Sequence, residues 1–311
     1  MTMRFLLAPM AEISHRALRE LIGEFGGCDE YFTEMISAPA LLAGGEFEPY
    51  YIENLPDPDR LVYQLTGADG DQLARAAGIL DRLECAGIDI NMGCAAPLIT
   101  RTGGGVKWMR DRDRAAGMIE KVRKSVKKRL SVKLRLGFEE NFEYLLAFCR
   151  ALEAAGTELI TLHPRTAGEK FRRRAKWRYV EALAGELSIP VAGNGDIASA
   201  GELAARARGP WKAVMVGRAA VRQPWIFSRA RLAEAVPNEA LSLIEETGLR
   251  FLDLLSRYQP PAFHRSRARR FFHYFCDNLK WGNYVKTLLN REESLSGIER
   301  AWTGYFRSGA E

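Results

Sequence analysis

The chain has 311 residues, 47% hydrophobic and 27% charged, with a formal net charge of +6. This composition excludes a disordered chain and supplies enough material for one barrel-sized domain plus a smaller one. No apolar run approaches the roughly 20 residues of a membrane helix. The opening MTMRFLLAPMAEISH is broken by Pro9 and Glu12, so a cytoplasmic protein with no cleaved signal and no membrane segment is expected. Five cysteines (Cys28, Cys85, Cys94, Cys149 and Cys276) show no CxxC or Cys/His spacing, which points away from a metal site and from a disulfide framework.

In chain order, β-rich runs fall at 4–10, 30–35, 60–67, 87–93, 131–137, 158–164, 189–195 and 212–218, with helix-like stretches such as DQLARAAGILDRLECAG between them. Eight strand–helix units predict an α/β TIM (β/α)8 barrel. An open doubly wound sheet would gather its ligand residues at one switch point. Here residues with chemical capability stand at nearly every strand end: Pro9 and Met10, Glu34, Gln64, Asn91 and Cys94, Lys133 and Arg135, His163 and Arg165, Asn194 and Asp196, Gly217 and Arg218. A barrel brings all of these to one face.

Beyond residue 235 the strand signal stops. Residues 240–311 predict a C-terminal α-helical bundle, with amphipathic helices over LSLIEETGLRFLDLLSRY, over HRSRARRFFHYFCDNL and near 293–306, punctuated by Pro237 and the Pro260-Pro261 pair. The expected division is a catalytic barrel over 1–235 and a helical domain over 236–311.

GNGDI (193–197) and MVGRAA (215–220) close the seventh and eighth strands. Such glycines can simply make tight βα turns, but two on adjacent strands, one ending in Gly-Arg218, favour an anion site that suits either FMN or a phosphorylated sugar. Lys133 in VKLRLG needs a negative or carbonyl partner. A flavin ring supplies one; a carboxylate such as Glu34 would be the internal alternative. Gln64 can bond the ring edge, and His163 either cofactor or substrate. Cys94 precedes the glycine run 103–105, which suggests a mobile loop, and its thiol can hold a proton for general-acid chemistry. The other four cysteines read as buried apolar residues.

Charge is uneven: residues 1–60 hold eleven acids and four bases, whereas 263–290 hold six bases and one acid. KVRKSVKKR (121–129) ends a helix entering the fifth strand, on the barrel's far face, and reads as a solvated surface. FRRRAKW (171–177) follows the sixth strand on the catalytic face. With Arg265, Arg267, Arg269 and Arg270 it suits a phosphate backbone, and Phe271, Tyr274 and Trp281 offer flat surfaces, although most of these aromatics fit a helix core.

The segments APM (8–10), YQLTG (63–67), DINMGC (89–94), VKLRLG (132–137), LHPRT (162–166), IPVAGNGDI (189–197) and VMVGRAAVRQPWIF (214–227) together resemble the tRNA-dihydrouridine synthase family. The resemblance runs through the whole barrel and is weaker in the tail. It implies FMN held by Ala8, Pro9, Met10, Gln64, Lys133, His163, Asn194, Gly195, Asp196, Gly217 and Arg218, with Cys94 as catalytic acid and NADPH as reductant. In the family the cysteine is usually followed directly by proline and, a little later, by lysine; here Ala95-Ala96-Pro97-Leu98 follows.

The expected reaction is reduction of a tRNA uridine to 5,6-dihydrouridine by a monomer. Asn91 and Arg165 are expected to hold the uracil edge, and Arg172, Lys176, Arg265, Arg267, Arg269 and Arg270 the tRNA body. The competing readings are an FMN barrel acting on a free pyrimidine and an RNA-binding flavoprotein without turnover.

Overall fold

The computed structural model describes residues 3–232 and 240–309; the expected domain boundary at 235 and Pro237 lie outside them. Eight parallel strands close into a barrel in sequence order: β1 (Arg4–Leu7), β2 (Glu30–Ser37), β3 (Leu61–Thr66), β4 (Gly87–Met92), β5 (Arg129–Arg135), β6 (Leu159–His163), β7 (Val191–Asn194) and β8 (Ala213–Val216). All eight expected strands are present, within a few residues at their ends. β8 returns to β1 in register, Phe5 opposite Val214 and Leu7 opposite Val216.

The two-residue period of a strand explains the composition. One set of positions (Leu6, Ala8, Phe32, Val62, Leu159, Ala192, Ala213, Met215) packs together as a small core inside the barrel. The alternate set, including Leu65, Ile90, Val132, Leu134 and Leu162, joins the large core under the surrounding helices. In VKLRLG, Lys133 and Arg135 therefore share the inward parity of Asp89 and Asn91 on β4. Side chains near the strand ends on that parity emerge at the mouth. Several loops end on side-chain caps that start the next helix: Asp69, Asp111, Asn141 and Ser199 each accept a backbone N–H three residues on.

Four helices build the C-terminal unit: Leu241–Tyr258, Pro261–Phe275, Gly282–Arg291 and Leu295–Arg307. The sequence named three; the unnamed Gly282–Arg291 is short and shows exposed Trp281 and Tyr284 at its start. The core is aromatic. Phe251 stacks on Phe271 at 3.7 Å between centroids, and Trp302 is fully enclosed, its indole N–H donating to the Glu245 carbonyl at 3.0 Å. Arg250 pairs with Glu24 at 2.6 Å, tying this unit to the first barrel helix, Arg16–Glu24.

The far face corrects one expectation. The run 121–129 is not simply solvated. Arg129 makes a two-pronged bond to buried Glu30, at 2.5 and 2.7 Å, and the Lys128 ammonium donates to the Asp81 and Leu83 carbonyls. A carboxylate enclosed at the barrel floor requires such a partner. Among the described residues no helix is long and apolar enough to cross a membrane, and no group of His, Cys, Asp or Glu is arranged to hold a metal.

Candidate active site

A hydrogen-bonded line of inward side chains crosses the mouth. Ser131 donates to Asp89 at 2.6 Å; Gln64 donates its amide N–H to the other Asp89 oxygen at 2.7 Å. The Asn91 amide donates to the Gln64 carbonyl oxygen at 2.9 Å, and Asn91 Oδ1 accepts from the backbone N–H groups of Cys94 (2.9 Å) and Gly93 (3.2 Å). Each amide fixes the orientation of the next, so Asp89 at one end decides how the Cys94 loop is held at the other. Burial raises Asp89 to about 6, against the bonds from Ser131 and Gln64 that pull it down. Asn91 is thus a brace for the loop, with Gln64 enclosed beside it. Asp89 was missed from sequence, although its place two residues before Asn91 puts it on the same face.

Cys94 alone of the five cysteines is not buried. The Val106 N–H donates to its carbonyl at 3.0 Å. Gly105 has φ of 58°, and a Cβ there would run into that same carbonyl. The glycine run therefore serves close packing under the cysteine loop. Arg135 donates to the Gly93 carbonyl at 2.9 Å, securing the loop from β5. Ala95 and Ala96 lead directly into a short helix, Pro97–Arg101, which leaves Leu98 exposed.

Lys133 is partly exposed to the mouth and makes no hydrogen bond or salt bridge among the described residues. The expected alternative partner, Glu34, pairs instead with Arg267. Burial, with Arg135 nearby, lowers the Lys133 ammonium to about 8. On the adjacent strand, beside Arg135, His163 is held at both nitrogens: Nδ1 lies 3.1 Å from Asn194 Oδ1 and Nε2 3.0 Å from Arg165 Nη1. Since a guanidinium only donates, Nε2 accepts and Nδ1 carries the proton. Burial and the cations Lys133 and Arg135 push His163 well below its usual value, so it is neutral at pH 7. Asn194 passes its amide N–H to the Met215 carbonyl at 2.8 Å.

Arg165 is 2% exposed and also bonds Asp196 at 2.5 Å. Asp196 accepts from the Ala175 N–H at 2.6 Å, which draws the loop after β6 over the β7 turn. At Gly195, φ of 131° and a Cβ position 2.9 Å from Ala175 demand glycine. Gly217 opens the helix Arg218–Arg222 with Met10 and Ala8 close by. Ala8, Pro9, Met10, Asn194, Gly195, Asp196, Gly217 and Arg218 thus meet along the β1, β7 and β8 ends. This is a glycine-lined turn, a helix start and an arginine without a carboxylate partner, the donor set a phosphate requires. Lys133, unpaired and facing the mouth, fits the electron-rich edge of a flavin. Phe171, 58% exposed, lies against His163, Arg218 and Arg135; sequence registered it only as part of a basic run.

The residues assigned to a polyanion divide. Arg172 is exposed and carries no salt bridge among the described residues. Lys176 bonds Glu140 and Glu169. Arg265 pairs with Glu293, Arg269 reaches the Asn290 carbonyl, and Arg270 pairs with Glu12 at 2.8 Å. Arg267 corrects the surface reading: it is 2% exposed and joins buried Glu34 at 3.0 Å and Gln259. Glu34 in turn accepts from the Glu12 N–H at 2.5 Å. The loop carrying Pro9 and Met10 is therefore gripped by the helical unit through Arg267–Glu34–Glu12 and Arg270–Glu12. Phe271 is core, as its helical spacing suggested, whereas Trp281 is exposed.

Fold and site define a TIM-barrel enzyme whose mouth can seat a phosphorylated, electron-accepting ring. The family described as Dihydrouridine synthase (Dus) matches residues 6–286, and the chain belongs to that family. It is 33% identical over 260 residues to a probable tRNA-dihydrouridine synthase of Rhodobacter capsulatus, covering 81% of this chain and 78% of that one. It is 28% identical over 305 residues to one of Aquifex aeolicus, covering 95% of each. Among solved structures, a morphinone reductase mutant in complex with tetrahydroNAD shares the fold, with a TM-score of 0.55 at 12% identity over 77% of this chain and 89% of that one.

Proposed function

We propose that this dihydrouridine synthase reduces uridines of tRNA to 5,6-dihydrouridine, with FMN at the barrel mouth, NADPH as reductant and Cys94 as proton donor. The observation that carries the reading is Cys94, the one open thiol, braced at the same mouth as the unpartnered Lys133. FMN bound at this mouth would supply the hydride for C6 of the uracil; Lys133 would hold the negative edge of its ring system, and Gly195, Gly217 and Arg218 its phosphate. Cys94 Sγ gives a proton to C5 from the opposite face. The Asp89–Gln64–Asn91 line keeps the thiol's loop in place. Arg165, bonded to both His163 and Asp196, sets the wall against which the base lies. A loop uridine unstacks at least cost, and the exposed arginines of the loop after β6, Arg172 first, hold the RNA body through phosphates.

The test is nucleoside mass spectrometry on tRNA from dihydrouridine-lacking cells after incubation with the flavin-loaded protein and NADPH. Dihydrouridine is expected with the native chain. Cys94→Ala should keep its flavin and lose at least ~100-fold in turnover; full activity of that variant would remove the proton-donor role. NADPH oxidation with a free pyrimidine and none with tRNA would replace the RNA substrate by a small one.

A further inference from the structure

Left-handed backbone suits glycine and, less often, asparagine or aspartate, because a larger side chain crowds the neighbouring carbonyl there. Among the described residues three that are not glycine adopt it: Glu12 (φ 63°), Lys170 (φ 50°) and Asp196 (φ 52°). All three stand on loops at the mouth, after β1, β6 and β7, and an arginine holds each. Arg165 bonds the Asp196 carboxylate, and Arg135 donates to the Lys170 carbonyl at 3.3 Å. At Glu12 the arginine comes from the other unit. Arg270, on the helix Pro261–Phe275, donates to Glu12 Oε2 from Nε at 3.0 Å and from Nη2 at 2.8 Å.

Glu12 lies inside a tight turn. The Ile13 and Ser14 N–H groups donate to the Met10 carbonyl at 3.1 and 3.0 Å, and the Met10 N–H donates to Ser14 Oγ at 2.9 Å. A rotation of the backbone at residue 12 therefore moves Met10. Met10 reaches the β8 end, its Sδ 3.5 Å from where a Cβ on Gly217 would stand. Two contacts keep residue 12 left-handed: its N–H donates to Glu34 Oε1 at 2.5 Å, and its carboxylate is fixed by Arg270. Glycine in its place would keep the first and have no use for the second, since it takes a φ near 60° without strain. Glutamate makes the shape of this turn depend on an arginine of the helical unit.

We propose that Arg270 is a positioning residue of the flavin site: acting through Glu12, it holds the β1 turn in the shape in which Met10 meets the cofactor, so that affinity for FMN is set in part by the helical unit. This rests on the flavin reading above and not on the identity of the RNA. The experiment is a cycle of FMN affinities, read by flavin fluorescence on titrating FMN with the full chain stripped of flavin, for the native protein, Arg270→Ala, Glu12→Gly and the double variant. Both side chains are half-exposed, so neither change opens the core. Arg270→Ala is expected to weaken FMN about fivefold, the worth of a well-formed exposed ion pair. Glu12→Gly should bind within about twofold of the native chain, and adding Arg270→Ala to it should cost nothing further, because glycine holds the turn unaided.

Equal losses from Arg270→Ala in both backgrounds overturn the proposal, since the arginine would then act on the flavin without Glu12. Native FMN affinity in Arg270→Ala overturns it too, and weakened tRNA binding in that same variant would assign Arg270 to RNA. A native chain that takes up no FMN would end the flavin reading and this proposal together, an outcome told apart from the others by the lack of any change in flavin fluorescence.

Discussion

Two sets of arginines, similar as sequence, have opposite fates. In the helical unit, Arg265, Arg267, Arg269 and Arg270 are all committed to carboxylates or carbonyls of this chain. In the loop after β6, Arg172, Arg173 and Arg174 stand exposed with no such partner. The first set holds the molecule together and the second is left for something else to neutralise. Density of positive charge thus indicates a ligand only once internal partners have been subtracted.

The contrast breaks most visibly at Arg267. Arg267→Met leaves Glu34 as an uncompensated buried carboxylate, so a loss of about 3–5 kcal/mol is expected in urea unfolding. Burial already raises the Glu34 carboxyl. In the variant its folded value rises further, so stability is best preserved at low pH and lost as pH climbs through that value. Adding Glu34→Gln should restore most of it. If Arg267→Met leaves stability intact and weakens only tRNA binding, the inward assignment is wrong.

Lys133 extends the comparison to an unpaired cation inside the site. With its ammonium lowered to about 8, it is charged at pH 7 and neutral well above 8. FMN affinity, followed by fluorescence, should therefore fall as pH rises past about 8, and Lys133→Met should be weaker and flat over that range. A native profile identical to the variant's would remove Lys133 from the flavin site. The smallest effect is expected at Arg172→Ala. Its melting temperature should stay within the range of a neutral surface change, while tRNA binding weakens across sequences and the salt slope drops by about 1.

Much of the fold was legible because strand alternation is local: V-K-L-R-L states which side faces the helices and which faces the mouth. The strand-end residues followed from it. The bracing of Asn91 and the tautomer of His163 did not, since both depend on which neighbouring amide points where. Interdomain pairing was illegible for a different reason: Arg270 and Glu12 are 258 positions apart, and no periodicity links them. Three glycines after Cys94 signal freedom and close packing alike, and the Cys94 carbonyl opposite Gly105 shows a packing requirement that the sequence alone could not.

The grip on Glu12 and Glu34 also bears on how such chains can be recombined. The helical unit reaches the cofactor-side loop through two acids that belong to the barrel, so the modular boundary in sequence is not a boundary in function. A chimera that exchanges this unit between relatives has to move positions 12 and 34 along with it, or it inherits a helical half that no longer shapes the pocket beneath.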